Sequence, residues 1–324
     1  MTNTNGTGID KQAKQVIFGA GPLGLSVMDA LVARGYTNIT IVNRRGEVHE
    51  TLPAGITVVK GDATNPDDVA RVTEGAAVVF QCAQPEYSEW PEKFPPIVEG
   101  IVEGVARTGA RLIVGDNLYM YGPTGGAPIS EDLPYAATGR KGRTRAEMAQ
   151  FLLDAHNSGK VRVAIGRASD FYGPRVEGSA VGDIVFDAAL QGKTINAMGD
   201  INLPHTYSYI GDFGDALVTL AEHDESLGQV WHVPNAPTKS TQEFLNIVEQ
   251  AVGQPVKVRT AGRGMLTLLG LFVPDVREMK EMYYEFAEPY VVDDSKFRQA
   301  FGGSFTPLEQ GISATVDWYR SRLN

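Results

Sequence analysis

Gln15-Val16-Ile17-Phe18-Gly19-Ala20-Gly21-Pro22-Leu23-Gly24 is the stretch whose reading decides the fold. A short apolar run, Gln15–Phe18, has the character of a buried strand. It is followed at once by Gly-x-Gly-x-x-Gly and then by a helical pattern over Pro22–Arg34. Each glycine has a separate task in that context. Gly19 permits the tight turn, Gly21 lets the backbone approach a pyrophosphate, and Gly24 lets helix and strand pack closely. Pro22 and Leu23 open the helix, whose N-terminal end supplies partial positive charge. Strand, glycine turn and helix together predict a dinucleotide site.

Outward from this turn, further apolar runs recur at Ile39–Val42, Ile56–Val59, Ala77–Cys82, Arg111–Val114 and Arg162–Ile165. Helical patterns separate them at Pro66–Val72, Pro95–Thr108 and Arg143–His156. In the third helix Ile97, Val98, Ile101, Val102 and Val105 form one apolar face. Parallel strands need crossovers, so this alternation predicts an α/β fold with a doubly wound parallel Rossmann sheet. Beyond Ile165 the pattern loosens. Helical segments are expected at Val181–Gln191, Phe213–Glu222, Thr241–Val252, Pro274–Tyr284 and Pro307–Arg322, with strand-like runs at Tyr207–Ile210 and Gln229–Val233. The domain reading is therefore a flexible segment 1–12, a dinucleotide-binding domain 13–175 to which 206–232 returns, and a smaller, mostly helical substrate lobe from 176–205 and 233–324. The apolar run Met265–Val273 is expected to bury in that lobe or in a dimer interface, with an apolar lid as the alternative.

The second strand ends at Asn43-Arg44-Arg45, nineteen positions after Gly24. An acid there would hold a ribose 2′-hydroxyl and repel a 2′-phosphate. A neutral amide followed by two guanidinium groups favours NADP(H) over NAD(H), since arginine grips phosphate bidentately. The alternative is a solvated basic turn. Gly61-Asp62-Ala63 follows the third strand, where Asp62 either meets the adenine amino group or caps the next helix. Gln81-Cys82-Ala83 ends the fourth, where small side chains let ribose and nicotinamide lie close. Cys82 reads as a small core residue, with no histidine partner suggested near it.

Composition excludes other classes. The 324 residues are 43% hydrophobic and 21% charged, in the globular range, with a formal net charge of −10. An acidic chain with no basic block is a poor partner for nucleic acid or anionic membrane. The single cysteine forbids an intramolecular disulfide. The N-terminal segment Met1–Asp10 is polar and lacks the apolar core of a signal peptide, and the longest apolar run, Met265–Val273, falls well short of a spanning helix, which gives the expectation of a soluble, cytoplasmic protein. The five histidines show no ligand spacing, so no metal site is expected. Neither a Walker A sequence nor a Gly-x-Ser-x-Gly elbow is present.

With Gly19–Gly24, Gly61-Asp62-Ala63, Met120-Tyr121-Gly122, Ile129-Ser130-Glu131-Asp132, the run Arg167–Arg175 and Tyr209-Ile210-Gly211-Asp212 in hand, the chain resembles the extended branch of the short-chain dehydrogenase/reductase superfamily. These are the nucleotide-sugar epimerases and dehydratases. The likeness runs over nearly the whole chain after residue 13. It implies a cofactor contact at Phe171, a small-molecule substrate, and homodimerisation through the helices at 95–108 and 143–156. The catalytic positions depart from the family pattern. Asn117 stands where the family has Ser or Thr, and Lys141 and Arg145 stand where it has Tyr-x-x-x-Lys. This is similar to atypical subgroups in which the cofactor site persists while the catalytic set has drifted.

Lys141 and Arg145 lie four apart and share a helix face. Arg145 is then expected to hold the nicotinamide ribose hydroxyls and to lower the pKa of Lys141, fitting it for proton transfer. The alternative is that both cations simply bind phosphate or solvent. Asn117 is expected to orient a carbonyl, and Tyr119 is the substitute acid, with Tyr135 as a further hydroxyl in reach. The run His205–Tyr209 reads either as substrate-pocket lining or as an exposed strand face. Three functions follow in order: an NADP(H)-dependent oxidoreductase or redox-linked isomerase, a nucleotide-sugar epimerase or dehydratase, and a cofactor-binding sensor or scaffold without chemistry.

Overall fold

A computed structural model describes residues 8–262, 264 and 280–323 of the chain. The strands are β1 (Lys14–Phe18), β2 (Ile39–Asn43), β3 (Ile56–Lys60), β4 (Ala76–Gln81), β5 (Arg111–Asp116) and β6 (Arg162–Arg167). Short strands follow: β7 (Phe171–Tyr172), β8 (Thr194–Met198), β9 (Pro204–His205), β10 (Ser208–Tyr209), β11 (Val230–His232), β12 (Lys239–Ser240) and β13 (Lys257–Ala261). The helices are α1 (Pro22–Ala33), α2 (Pro66–Thr73), α3 (Trp90–Thr108), α4 (Arg140–Asn157), α5 (Asp183–Leu190), α6 (Ile210–Glu222), α7 (Thr241–Val252), α8 (Ser295–Phe301) and α9 (Leu308–Leu323).

The seven-stranded sheet has the order β11-β6-β5-β4-β1-β2-β3. All five pairings among β1–β6 are parallel, for example Ile17 opposite Ile41 on one side and Phe80 on the other. This is the doubly wound Rossmann arrangement expected from the sequence. Strand order reverses between β1 and β4, and ligands bind outside the carboxyl ends of strands at such a switch point. The Val/Ile-rich centres of β1, β2, β4, β5 and β6 are buried on both faces, Val16, Ile17, Ile41, Val79, Phe80 and Ile113 among them, while the edge strand β3 is only half-buried.

The chain divides into two compact units. Unit one comprises Met1–Asp116, Thr144–Arg167 and Phe213–Trp231, and unit two comprises Asn117–Arg143, Ala168–Asp212 and His232–Asn324. Unit two has its own apolar core, in which α5, α7 and α9 bring Phe186, Phe244, Ile312, Val316 and Tyr319 together with Tyr172 and Tyr207. Phe186 stacks on Tyr319 with ring centroids 5.5 Å apart.

Several boundaries depart from the sequence reading for identifiable reasons. Helix α3 begins at Trp90, five residues before the expected Pro95, and carries Pro95 and Pro96 inside it. Burial of Trp90 and Phe94 on the helix's inner face extends it by the extra turn. Only Ser208 and Tyr209 of the run Tyr207–Ile210 are strand, because Ile210 already opens α6. Of the segment 1–12, residues 1–7 lie outside the described residues, and Asp10 closes a turn onto Gln12 and Ala13. The run Met265–Val273 also lies outside them. Of Pro274–Tyr284, only the part from Lys280 is described, as a 3-10 helix over Lys280–Phe286.

Candidate functional site

In unit one, the glycine turn is built as its chemistry requires. Gly19 has φ +104°, and a β-carbon there would come within 2.8 Å of the Cys82–Ala83 backbone. A β-carbon at Gly24 would overlap the carbonyl oxygen of Gly19. Gly21 differs: its φ is −82°, and a β-carbon there would meet nothing within 4 Å. The turn is therefore closed against protein at Gly19 and Gly24 and open at Gly21. Gly21 is also the N-cap of α1, and no side chain caps that helix end. Open space before an uncapped helix N-terminus, at the switch point of the sheet, fits a dinucleotide pyrophosphate. Pro22, at the first helical position, has no N–H to leave unsatisfied.

The end of β2 is a folded turn. The Asn43 Oδ1 accepts from the backbone N–H groups of Arg45 (2.9 Å) and Gly46 (2.7 Å), and its Nδ2 donates to the Glu47 carbonyl (2.9 Å). The amide is thus spent on shaping the loop, and the loop presents Arg44 and Arg45 exposed. Among the described residues neither is held in an ion pair. Asp62 is exposed, and its Oδ1 accepts from the backbone N–H and hydroxyl of Thr64. The cap of α2 is Asn65, three residues on, whose side chain accepts from Asp67 and Asp68. Ala63 is half-buried beside Asp62.

At the end of β4 the buried Gln81 side chain grips its own loop. It donates to the Ala83 carbonyl (2.9 Å) and accepts from the Ala83 N–H (2.6 Å). Burial pushes the Cys82 thiol well above its ordinary range, so it stays protonated and unreactive at neutral pH.

Asp116, at the end of β5, gathers two buried arginines. Arg145 lies 3.0 Å from its Oδ1 and Arg167 lies 3.1 Å from its Oδ2. The Arg145 guanidinium also sits over the rings of Trp90 (4.1 Å) and Phe94 (4.2 Å). A buried cation needs this compensation, and π-faces supply part of it. The structure thus places the guanidinium of Arg145 in a carboxylate-and-aromatic nest, a setting its helix position did not reveal.

Unit two holds the remaining positions singled out in the sequence. Asn117 is half-buried and its Oδ1 accepts from the Tyr119 N–H (3.2 Å) at the start of a 3-10 turn over Tyr119–Tyr121. Tyr119 is half-buried and Tyr121 fully so. The Tyr121 hydroxyl meets His232 Nε2 at 3.0 Å, and its ring is edge-on to Tyr135. Since His232 Nδ1 faces the Asp293 carbonyl (3.0 Å), Nδ1 carries the proton and Nε2 accepts from Tyr121. Tyr121 is therefore a packed structural residue. Lys141 is buried in the first turn of α4, where the Glu281 carboxylate accepts from the backbone N–H groups of Lys141 (2.8 Å) and Gly142 (3.2 Å). Phe171 lies in β7, paired with Ser208 of β10.

The run His205–Ser208 is buried, which corrects the exposed-face alternative. His205 Nε2 lies 3.0 Å from Asp170 Oδ2, and Nδ1 lies 3.1 Å from the Glu285 carbonyl oxygen. The imidazole is stacked against Tyr207, Phe286 and Tyr290, with centroids 4.5, 4.8 and 5.1 Å away. Glu285 is buried beside it. Burial, reinforced by the charge of Asp170, raises its carboxyl well above the usual range, although the Tyr290 hydroxyl hydrogen-bonds to it. Asp170 and His205 stood in conspicuous runs of sequence, but nothing in the sequence marked Glu285 or Tyr290.

Among the described residues no cluster of His, Cys, Asp and Glu is arranged for a metal, and no helix is long and apolar enough to cross a membrane. The model of the NAD dependent epimerase/dehydratase family matches residues 16–233. A curated relative, 2-alkyl-3-oxoalkanoate reductase of Shewanella oneidensis, is 28% identical over 174 residues, which are 49% of this chain and 44% of the reductase. The match thus spans less than half of that relative's length. Among solved structures, the epimerase Mth375 of Methanothermobacter thermautotrophicus superposes with a TM-score of 0.79 at 16% identity, covering 97% of this chain and 94% of its own. UDP-glucuronic acid 4-epimerase from Bacillus cereus, in complex with NAD, superposes with a TM-score of 0.75 at 18% identity, covering 95% and 97%. These two likenesses carry the fold.

Proposed function

The chain belongs to the NAD dependent epimerase/dehydratase family, and on that premise we propose that it is an NADP(H)-dependent oxidoreductase acting on a carbonyl or hydroxyl group of a small-molecule substrate. The observation that carries the cofactor preference is the turn after β2. Asn43 uses both ends of its amide on the backbone, leaving Arg44 and Arg45 as the exposed groups. Two guanidinium groups with no carboxylate at Asn43 suit a 2′-phosphate. Gly19, Gly21 and Gly24, with Pro22 and Leu23 at the start of α1, would hold the pyrophosphate. Gln81 and Ala83 would bound the far ribose. The cofactor, when bound, supplies or accepts a hydride.

On the substrate side, Asn117 would offer an amide and Tyr119 a half-buried hydroxyl to a substrate oxygen, with Lys141 the further candidate for proton transfer. The reductase relative, matched in sequence over 174 residues, supports carbonyl reduction, and the epimerase/dehydratase family match supports the second reading, a nucleotide-sugar epimerase or dehydratase. A redox-linked isomerase would run the same step in both directions.

Binding of NADPH and NADH by the wild type and by the Arg44→Ala/Arg45→Ala double variant tests the reading. The double variant should weaken NADPH by about tenfold to a hundredfold, on the order of 1.4–2.8 kcal/mol, and leave NADH nearly unchanged. Equal losses would overturn the phosphate grip. Tight, redox-selective cofactor binding without turnover of any carbonyl would favour a sensor.

A further inference from the structure

The glycine turn occupies the carboxyl end of β1. At the amino end of the same strand, still within unit one, lies a cavity of about 470 Å³, within the range of small-molecule sites. Small residues line it: Ala13 before β1, Ala76 and Ala77 in β4, and Gly109 before β5. None of these carries a side chain beyond the β-carbon, so the strand ends leave a hollow. A bulge widens it. Lys14 pairs with Ala76 and Gln15 with Val78, which makes Ala77 an extra residue outside the β1 ladder. The five-residue β1 separates the hollow from Gly19 by about 16 Å.

The charges around the hollow are of both signs. Arg111 and Arg162 begin β5 and β6 and stand in register, so their side chains leave the same face of strands about 4.8 Å apart. Like charges placed side by side repel. On Arg111 this is offset, since its guanidinium lies 2.6 Å from the Asp224 carboxylate and donates to the Ala221 carbonyl at 3.1 Å. The exposed Arg162 donates to the neutral Gly109 carbonyl at 2.9 Å. Asp10 lines the same cavity, exposed, its Oδ1 accepting the Gln12 N–H at 2.9 Å. Among the described residues neither Arg162 nor Asp10 is held in an ion pair, with each other or with a third group. A simple anion would meet Arg162 and be repelled by Asp10. A simple cation would meet Asp10 and be repelled by the arginines. A molecule carrying both charges a few bonds apart satisfies both.

We propose that this cavity binds a small zwitterion of the α-amino acid class, its carboxylate on the Arg162 guanidinium and its ammonium on Asp10. Guanidinium grips carboxylate bidentately, and one N–H spent on Gly109 leaves donors enough for that grip. Room for the ligand's own side chain lies at Gly8 and Gly109, where an added β-carbon would meet nothing within 4 Å. No part of this site depends on the cofactor or on the redox reading.

The test titrates the full chain with each of the twenty common α-amino acids, read by calorimetry and by ¹H–¹⁵N NMR. Acetate, methylammonium and inorganic phosphate serve as the separated charges. At least one amino acid should bind about tenfold more tightly than any of these three, shifting the amide signals of Ala13, Ala77 and Gly109. Arg162→Gln and Asp10→Asn should each weaken that binding by about tenfold or more, the worth of a hydrogen bond to a charged group, and Arg162→Lys should fall in between. Both side chains are exposed, so melting temperature and NADPH affinity should stay at their wild-type values. If Arg162→Gln melts early, Asp10→Asn carries the comparison. Acetate or phosphate binding as tightly as the best amino acid would make this an anion patch and overturn the proposal. Binding that neither variant weakens, signals that shift elsewhere, or no binding by any of the twenty would overturn it as well.

Discussion

A methyl group added at Gly21 would meet nothing within 4 Å, whereas one added at Gly24 would overlap the carbonyl oxygen of Gly19. The two substitutions should therefore fail differently. Gly21→Ala should melt with the wild type, since its φ of −82° suits alanine, yet lose at least about tenfold in NADPH affinity, because the methyl occupies the approach of the phosphates. Gly24→Ala should cost about 1–3 kcal/mol of stability, as overpacking does, and lose binding as a consequence. Melting curves and cofactor titrations on the same samples separate the two. Tyr119→Phe should slow turnover by about threefold to tenfold, the worth of one orienting hydrogen bond, with the melting temperature close to that of the wild type.

Among the elements, α2 shows how a short helix is set by one side chain. Asn65 accepts from the N–H groups of Asp67 and Asp68, and these acids occupy the first turn. Asn65→Ala should cost about 1 kcal/mol and fray Pro66–Asp68 first, which amide exchange would reveal. The sheet elements were legible because each of β1–β6 is a short β-branched run between turn residues, buried on both faces in every case but the half-buried edge strand β3. Helix α3 was misread at its start because proline was taken as a boundary, while the deciding fact was the burial of Trp90 and Phe94. The glycine turn was legible because spacing and secondary structure coincide in ten residues. The cluster around His205 was not. Asp170, His205, Glu285 and Tyr290 come from β9 and from segments that flank β7 and precede α8, and only tertiary folding brings them within hydrogen-bond range. The setting of Arg145 was hidden for the same reason, since Asp116, Trp90 and Phe94 are remote from it in sequence.

Over the whole molecule, one half-buried carboxyl and one buried carboxyl give stability opposite pH dependences. At the half-buried Glu222, partial burial raises the carboxyl, but hydrogen bonds from Lys11 and Tyr36 and the charge of Arg34 outweigh it and hold the group below its ordinary 4.5. Its contribution is present above that value and is lost as pH falls through the folded pKa. Glu285 is raised by burial, so its contribution is full below 4.5 and is lost as pH climbs toward its folded pKa. Glu222→Gln should therefore be less stable than the wild type at pH 7, with the gap closing in acid. Glu285→Gln should be more stable at pH 7, with no gain near pH 4. Denaturant titrations at several pH values check both signs. The division into units has a further consequence, during synthesis. The polypeptide leaves unit one after Asp116, returns at Thr144, leaves again after Arg167 and returns at Phe213. β6 lies in the second visit and the edge strand β11 runs across the end of the third, so the sheet is not complete until residue 232 has emerged from the ribosome. Until then β5 or β6 stands at the edge of the growing sheet, its backbone N–H and C=O groups waiting for a strand that the ribosome has not yet delivered.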